Sequence, residues 1–132
     1  MGRVIVLDAS VVIAHLSSHD THHERAVAFF RANVAEAFVM HSLTMTEILV
    51  GPIRVGRSEA AEHALASLGI SEWMPPAGSA ARLARVRVES GLKLPDCCVL
   101  DAALSNRGRI ATFDGRLAQA AHDLGVEVIQ PG

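Results

Sequence analysis

A chain of 132 residues, half of them hydrophobic and a fifth charged, is the size of one globular domain and buries roughly two thirds of its unfolded surface, which excludes a disordered tail or a disulfide miniprotein. With 4 % aromatic residues and no Tyr, it lacks the exposed rings of a module that reads single-stranded nucleic acid by base stacking. A formal charge of -2, from 12 Lys and Arg against 14 Asp and Glu, excludes a surface that grips a long duplex through many phosphates, so any nucleic-acid contact is local.

Val4-Ile5-Val6-Leu7 is short, continuous and β-branched, the pattern of a strand buried on both faces of a parallel sheet, and Asp8 follows at once. A helix begins near Val11, and Val27, Phe30 and Val34 give the next helical face. Ala37 to Met40 repeats the strand grammar and precedes a helix carrying Glu47. Two further helical faces follow, Ala61, Ala64, Leu65 and Leu68, then Ala80, Leu83, Ala84 and Val88. Pro75-Pro76-Ala77-Gly78 between them is an internal loop, because neither flank is long enough to bury a core alone. Cys97 to Arg107 reads as helix, with Leu100, Ala103 and Leu104 at turn spacing and Gly108 where a stop belongs. Arg109 to Thr112 is a third strand, Leu117, Ala120, Ala121 and Leu124 mark a last helix, and Val126 to Ile129 is a fourth strand. The alternation predicts one α/β domain over 1–132, a central, mostly parallel four- to five-stranded sheet flanked by helices.

Cys97 and Cys98 are adjacent, so they provide neither a disulfide framework nor a zinc spacing, and they read as packed, reduced thiols. Asp8 interrupts the only apolar N-terminal run, no segment fits a signal peptide or membrane span, and the expected location is the cytoplasm.

Ligands of open parallel sheets bind beyond the carboxyl ends of the strands. Four acids fall there: Asp8 directly after the first strand, Glu47 one turn into the helix after the second, Asp114 two residues beyond Thr112, and Asp96 opening a helix after Pro95. Each also has a structural reading. Asp8 or Ser10 caps the helix near Val11, Thr44-Met45-Thr46-Glu47 fits a capping box, Asp96 suits a cap, and Asp114-Gly115 suits a turn. Four carboxylates at one sheet edge would repel, a pair about 4 Å apart costing about 4 kcal/mol at an effective dielectric near 20. Such a cluster either protonates or holds a cation, and an all-oxygen donor set suits Mg²⁺ or Mn²⁺ rather than Zn²⁺. An ion held so can lower the pKa of a bound water and clamp a phosphate, which serves phosphodiester hydrolysis without a Ser or Cys nucleophile.

Val6-Leu7-Asp8-Ala9-Ser10-Val11-Val12-Ile13-Ala14, Thr46-Glu47, Lys93-Leu94-Pro95-Asp96 and Ala111-Thr112-Phe113-Asp114, in this order and spacing, resemble the PIN-domain ribonucleases, specifically VapC-type toxins. The resemblance spans about residues 3 to 130. It implies a PIN-like α/β fold, Mg²⁺- or Mn²⁺-dependent endoribonuclease activity, a homodimer, and inhibition by a VapB-type antitoxin. Carried over, the family's four acids fall on Asp8, Glu47, Asp96 and Asp114, and its hydroxyl positions on Ser10 and Thr112, which would support the acids by hydrogen bonds.

Lys93 is the single lysine among the 12 basic residues, and the arginines that remain bind phosphates bidentately. Arg116, two residues past Asp114, is the first substrate-contact candidate, followed by Arg54, Arg57, Arg82, Arg85 and Arg87. Asp101 lies five residues, roughly 140° of helix, beyond Asp96 and reads as structural. His19, His22 and His23 read as solvent-exposed, and His15 and His41 as local hydrogen-bonding groups. Competing readings are a PIN-fold module that binds RNA or protein without chemistry, a metal nuclease acting on DNA, and a receiver-type phosphoacceptor, which lacks the late lysine it would need.

Overall fold

The computed structural model describes residues 3–131, so residues 1, 2 and 132 of the expected domain lie outside the described residues. In chain order the elements are β1 (Ile5–Leu7), α1 (Ala9–Leu16), α2 (His23–Ala32), β2 (Phe38–His41), α3 (Ser42–Arg54), α4 (Ser58–Ser67), β3 (Ile70–Trp73), α5 (Ser79–Ser90), α6 (Leu94–Asn106), β4 (Arg109–Ala111), α7 (Gly115–Asp123) and β5 (Val128–Ile129). The five strands form one sheet in the order β3-β2-β1-β4-β5, and every pairing is parallel.

Alternation along the strands splits the core into two layers. Ile5 and Leu7 of β1, with Phe38 and Met40 of β2, face Val11, Val12, Phe29, Phe30, Ile48 and Leu65 on one side of the sheet. Val6 and Ile110 face Val86, Val99, Leu100, Leu117 and Ala121 on the other. Because β1 and β2 are covered on both faces, their residues read as continuous apolar runs rather than alternating ones. The chain moves from β1 to β2 and β3 on one side, then returns to place β4 on the other side of β1. The carboxyl ends of β1 and β4 therefore flank the topological switch point, where sheets of this kind bind ligands.

Three sequence expectations change. β3 was not expected from the sequence, since Ser71 and Glu72 interrupt any apolar run and an edge strand needs only Ile70 and Trp73 to face inward. Val34 lies beyond the end of α2 and is 80 % exposed, while Ala26, Phe29 and Phe30 make its buried face. In α5, Ala80, Ala84 and Val88 face solvent and Val86 is buried, with Leu83 half-buried. The face of α5 turned to α6 carries Arg82, whose guanidinium pairs with Asp101, a polar residue that hides the true packing stripe from a purely apolar count.

The stop of α6 is shared by two residues. Arg107 adopts a left-handed conformation with φ 51° as the cap, and Gly108 follows where a Cβ would lie 2.9 Å from the Val4 carbonyl oxygen. Gly108 thus allows the close approach of β4 to β1, on which the spacing of Asp8 and Thr112 depends.

Candidate active site

Asp8 leaves β1 with extended backbone and occupies the N-cap position of α1, yet its side chain makes no capping hydrogen bond. Its backbone N–H donates to the Ala111 carbonyl at 3.0 Å, which ties it to the end of β4. The carboxylate is 8 % exposed, and Oδ2 accepts from the Ser10 hydroxyl at 2.7 Å and the Thr112 hydroxyl at 2.8 Å. Both hydroxyls are themselves held. Phe113 N–H donates to Ser10 Oγ at 3.1 Å and Asp114 N–H donates to Thr112 Oγ1 at 2.9 Å. Each hydroxyl has one proton to give, and accepting from a backbone N–H leaves that proton aimed at Asp8. The segment after β4 and the start of α1 are thereby joined through one carboxylate oxygen, while Asp8 Oδ1 has no hydrogen bond among the described residues.

Glu47 is exposed on the second turn of α3. The capping box expected over Thr44 to Glu47 is not made, because α3 begins earlier, with His41 as its cap accepting from Leu43 N–H at 3.0 Å. Asp96 sits in the first turn of α6, after Pro95, and also caps nothing; Lys93 is the cap residue and offers no side-chain bond. Asp114 does cap, with Oδ1 accepting from Arg116 N–H at 2.9 Å and Leu117 N–H at 3.3 Å, so the expected turn at Asp114-Gly115 is the start of α7. Its Oδ2 makes no hydrogen bond among the described residues.

These four acids come from different parts of the chain, and the charges of the other three bear on Asp96. Asp96 is pushed above the ordinary carboxylate range first by burial, then by the charges of Asp8, Asp114 and Glu47, with Lys93 opposing weakly. Among the described residues none of the four has an ion-pair partner, whereas buried Asp101 is held by both nitrogens of the Arg82 fork at 3.0 and 3.1 Å, as its structural reading expected. Asp8 Oδ1, Asp114 Oδ2 and the carboxylates of Glu47 and Asp96 are therefore oxygens without a hydrogen bond or ion pair among the described residues, Lys93 acting on Asp96 only from a distance. No three His, Cys, Asp or Glu side chains among the described residues meet closely enough to hold an ion as they stand. The donor chemistry fits a hard divalent cation, since all unspent donors are carboxylate oxygens.

Arg116 is exposed at the start of α7 and makes no side-chain hydrogen bond among the described residues. Arg54, Arg57, Arg85 and Arg87 are exposed too, and Arg82 is committed to Asp101. Cys97 and Cys98 are buried free thiols, and burial pushes Cys98 up to about 11, far from a reactive thiolate. His19 is exposed as expected, but His22 stacks on Phe113 and His23 Nδ1 contacts the Ala14 carbonyl at 2.8 Å, so both are half-buried. Residues 22 and 113 are remote in sequence, and no local pattern signals their contact.

A PIN domain model matches residues 5–123. The chain belongs to the PIN-domain family. PIN domains are typically nucleases and generally use divalent metals. Among solved structures, a toxin-antitoxin complex from Klebsiella pneumoniae is similar, with a TM-score of 0.76, 20 % identity, and 97 % of this chain and 98 % of that one covered. VapC20 from Mycobacterium tuberculosis, a sarcin-ricin loop cleaving toxin, gives a TM-score of 0.72 at 14 % identity, covering 88 % of this PIN domain and 94 % of that chain. VapBC2 from Rickettsia felis, bound to a DNA fragment from its promoter, gives 0.72 at 10 % identity, with 98 % and 99 % covered. At these identities the likeness establishes the fold. No curated protein matches. Among the described residues no helix is long and apolar enough to cross a membrane.

Proposed function

We propose that this PIN domain is an endoribonuclease dependent on Mg²⁺ or Mn²⁺, the toxin of a VapBC-type toxin-antitoxin pair. The observation that carries the reading is the set of four carboxylates, Asp8, Glu47, Asp96 and Asp114, drawn from four parts of the chain, three of them bearing on Asp96 and none in an ion pair among the described residues. A buried acid normally has a partner, as Asp101 does, and a cluster that lacks one is suited to a metal ion.

In this reading Asp8, Glu47, Asp96 and Asp114 would hold the ion, which supplies an activated water and neutralises charge on the phosphate under attack. Ser10 and Thr112 fix one oxygen of Asp8 and leave the other to the site. Asp114 divides its two oxygens between the α7 cap and the cluster. Arg116, exposed beside it, would hold a flanking phosphate of the RNA, so one arginine and one ion replace a broad basic surface. The similarity to toxin-antitoxin structures supports a VapB-type antitoxin as partner; a homodimer is the assembled form in this reading.

The test is cleavage of total cellular RNA by the purified protein. Cleavage with Mg²⁺ or Mn²⁺, its arrest by a chelator, and its loss in Asp8→Asn at unchanged fold are the expected results. Chelator-resistant cleavage, or full activity of Asp8→Asn, overturns the reading. Growth arrest on induction, relieved by co-expressing a neighbouring antitoxin, tests the toxin assignment separately.

A further inference from the structure

We propose that His22 and Phe113 form a base-stacking subsite beside the acid cluster, taking the nucleobase next to the scissile phosphate of a single-stranded RNA; this rests on the ribonuclease reading and adds a contact to it. The two rings lie parallel, with centroids 4.4 Å apart and planes 11° apart. Phe113 stands between Thr112 and Asp114, and its N–H donates to the Ser10 hydroxyl that in turn donates to Asp8. The ring is thus anchored to the same short segment that positions two of the four acids. Phe113 packs inward against the core around Phe29 and Phe30, which makes His22 the outer ring of the stack.

Among the described residues the stack is the one aromatic contact of the imidazole. The His22 backbone N–H is held by Asp20 Oδ1 at 2.8 Å, but its side chain makes no hydrogen bond among the described residues, and Nδ1 is buried without a partner. The other aromatic rings are elsewhere. Phe29, Phe30 and Phe38 are buried in the core, and Trp73 lies on edge strand β3 against His41. His22 and Phe113 are both half-buried, so part of the pair remains open to solvent. Splayed RNA bases stack on Phe and His rings, and such stacking tolerates any base because every base has a π-face. One stack beside the cluster also suits a chain too poor in aromatic residues to read a long single strand.

The experiment uses a single-stranded oligoribonucleotide cut once by the wild type in Mn²⁺, and the same strand with abasic nucleotides on either side of the cut. His22→Ala is expected to lower kcat/KM on the base-bearing strand by about 5- to 100-fold, His22→Phe to stay within about 3-fold of wild type, and the abasic strand to be cut equally by wild type and His22→Ala. Wild-type activity of His22→Ala on the base-bearing strand overturns the subsite while leaving the ribonuclease reading intact. An equal loss on the abasic strand also overturns it, since the effect is then on the fold of the site. If the wild type cuts no RNA, both readings fall together.

Discussion

Thr112 and Asp8, 104 residues apart in the chain, are joined by a 2.8 Å hydrogen bond from hydroxyl to carboxylate, and Ser10 donates to the same oxygen at 2.7 Å. Two neutral donors on one carboxylate oxygen fix the direction of the other oxygen. Removing either is expected to misorient Asp8 without unfolding the chain. Ser10→Ala and Thr112→Val should each lower metal-dependent cleavage by about 10- to 100-fold, the range seen for groups that orient metal ligands. The double variant should lose less than the product of the two, because both act on one oxygen. Steady-state cleavage rates alongside thermal melts check this, and additive losses would argue against a shared role.

Burial lowers the pKa of His41, with Asp101 opposing, and burial followed by the charge of His23 lowers that of His15. Both imidazoles are then neutral in the fold at a pH where the unfolded chain has begun to bind protons. Stability is therefore complete above the free-imidazole value of about 6.5 and falls as the pH drops below it. The midpoint of thermal unfolding should decline between about pH 7 and pH 5, by several degrees, and His41→Asn, which keeps a cap acceptor for Leu43 N–H but does not titrate, should show a shallower decline. A slope identical to wild type would remove His41 from the account.

Asp101 is 2 % exposed, and its charge is balanced by Arg82 on α5. Arg82→Ala leaves that carboxylate buried and alone, so it should lower the melting temperature clearly, while Arg82→Ala combined with Asp101→Asn should recover part of the loss. Because the pair lies outside the acid cluster, kcat of the remaining folded enzyme should be unchanged. A fall in kcat with no fall in stability would instead assign Arg82 to substrate.

Gly108 has the Val4 carbonyl oxygen 2.9 Å from where its Cβ would stand. Backbone has little room to give, so Gly108→Ala should cost about 1 to 3 kcal/mol in urea unfolding and, by shifting β4 against β1, reduce cleavage as well. Unchanged stability would mean that the two strands slide apart freely.

Much of this was legible in the sequence because the central strands are buried on both faces and read as uninterrupted apolar runs at Val4 to Leu7 and Ala37 to Met40. β3 was not, since in the edge strand Ile70-Ser71-Glu72-Trp73 only Ile70 and Trp73 pack, on opposite faces, and the two residues between them are exposed. The packing stripe of α5 was misread for a related reason: Arg82 faces inward to Asp101, and Val88 faces out at 84 % exposure. Asp8 and Asp114 could be placed just past strands and Asp96 at a helix start by counting, but which of them capped helices could not. Asp114 caps α7 through Oδ1, whereas Asp8 and Asp96 sit at helix starts and cap nothing, the Asp8 carboxylate being engaged instead by the Ser10 and Thr112 hydroxyls. The His22–Phe113 stack had no sequence signal, because its partners meet only when α2 and the segment after β4 are folded together.

The central claim is that Asp8, Glu47, Asp96 and Asp114 hold one divalent site, and direct Mn²⁺ binding followed by electron paramagnetic resonance tests it without reference to any substrate. The wild type should bind Mn²⁺, Mg²⁺ should displace it, and Asp8→Asn and Asp96→Asn should each weaken binding at least about 10-fold, with the metal-free Asp96→Asn melting slightly higher than wild type because a crowded charge is gone. Equal Mn²⁺ affinity in the wild type and in an Asp8→Asn, Asp96→Asn double variant would contradict the claim.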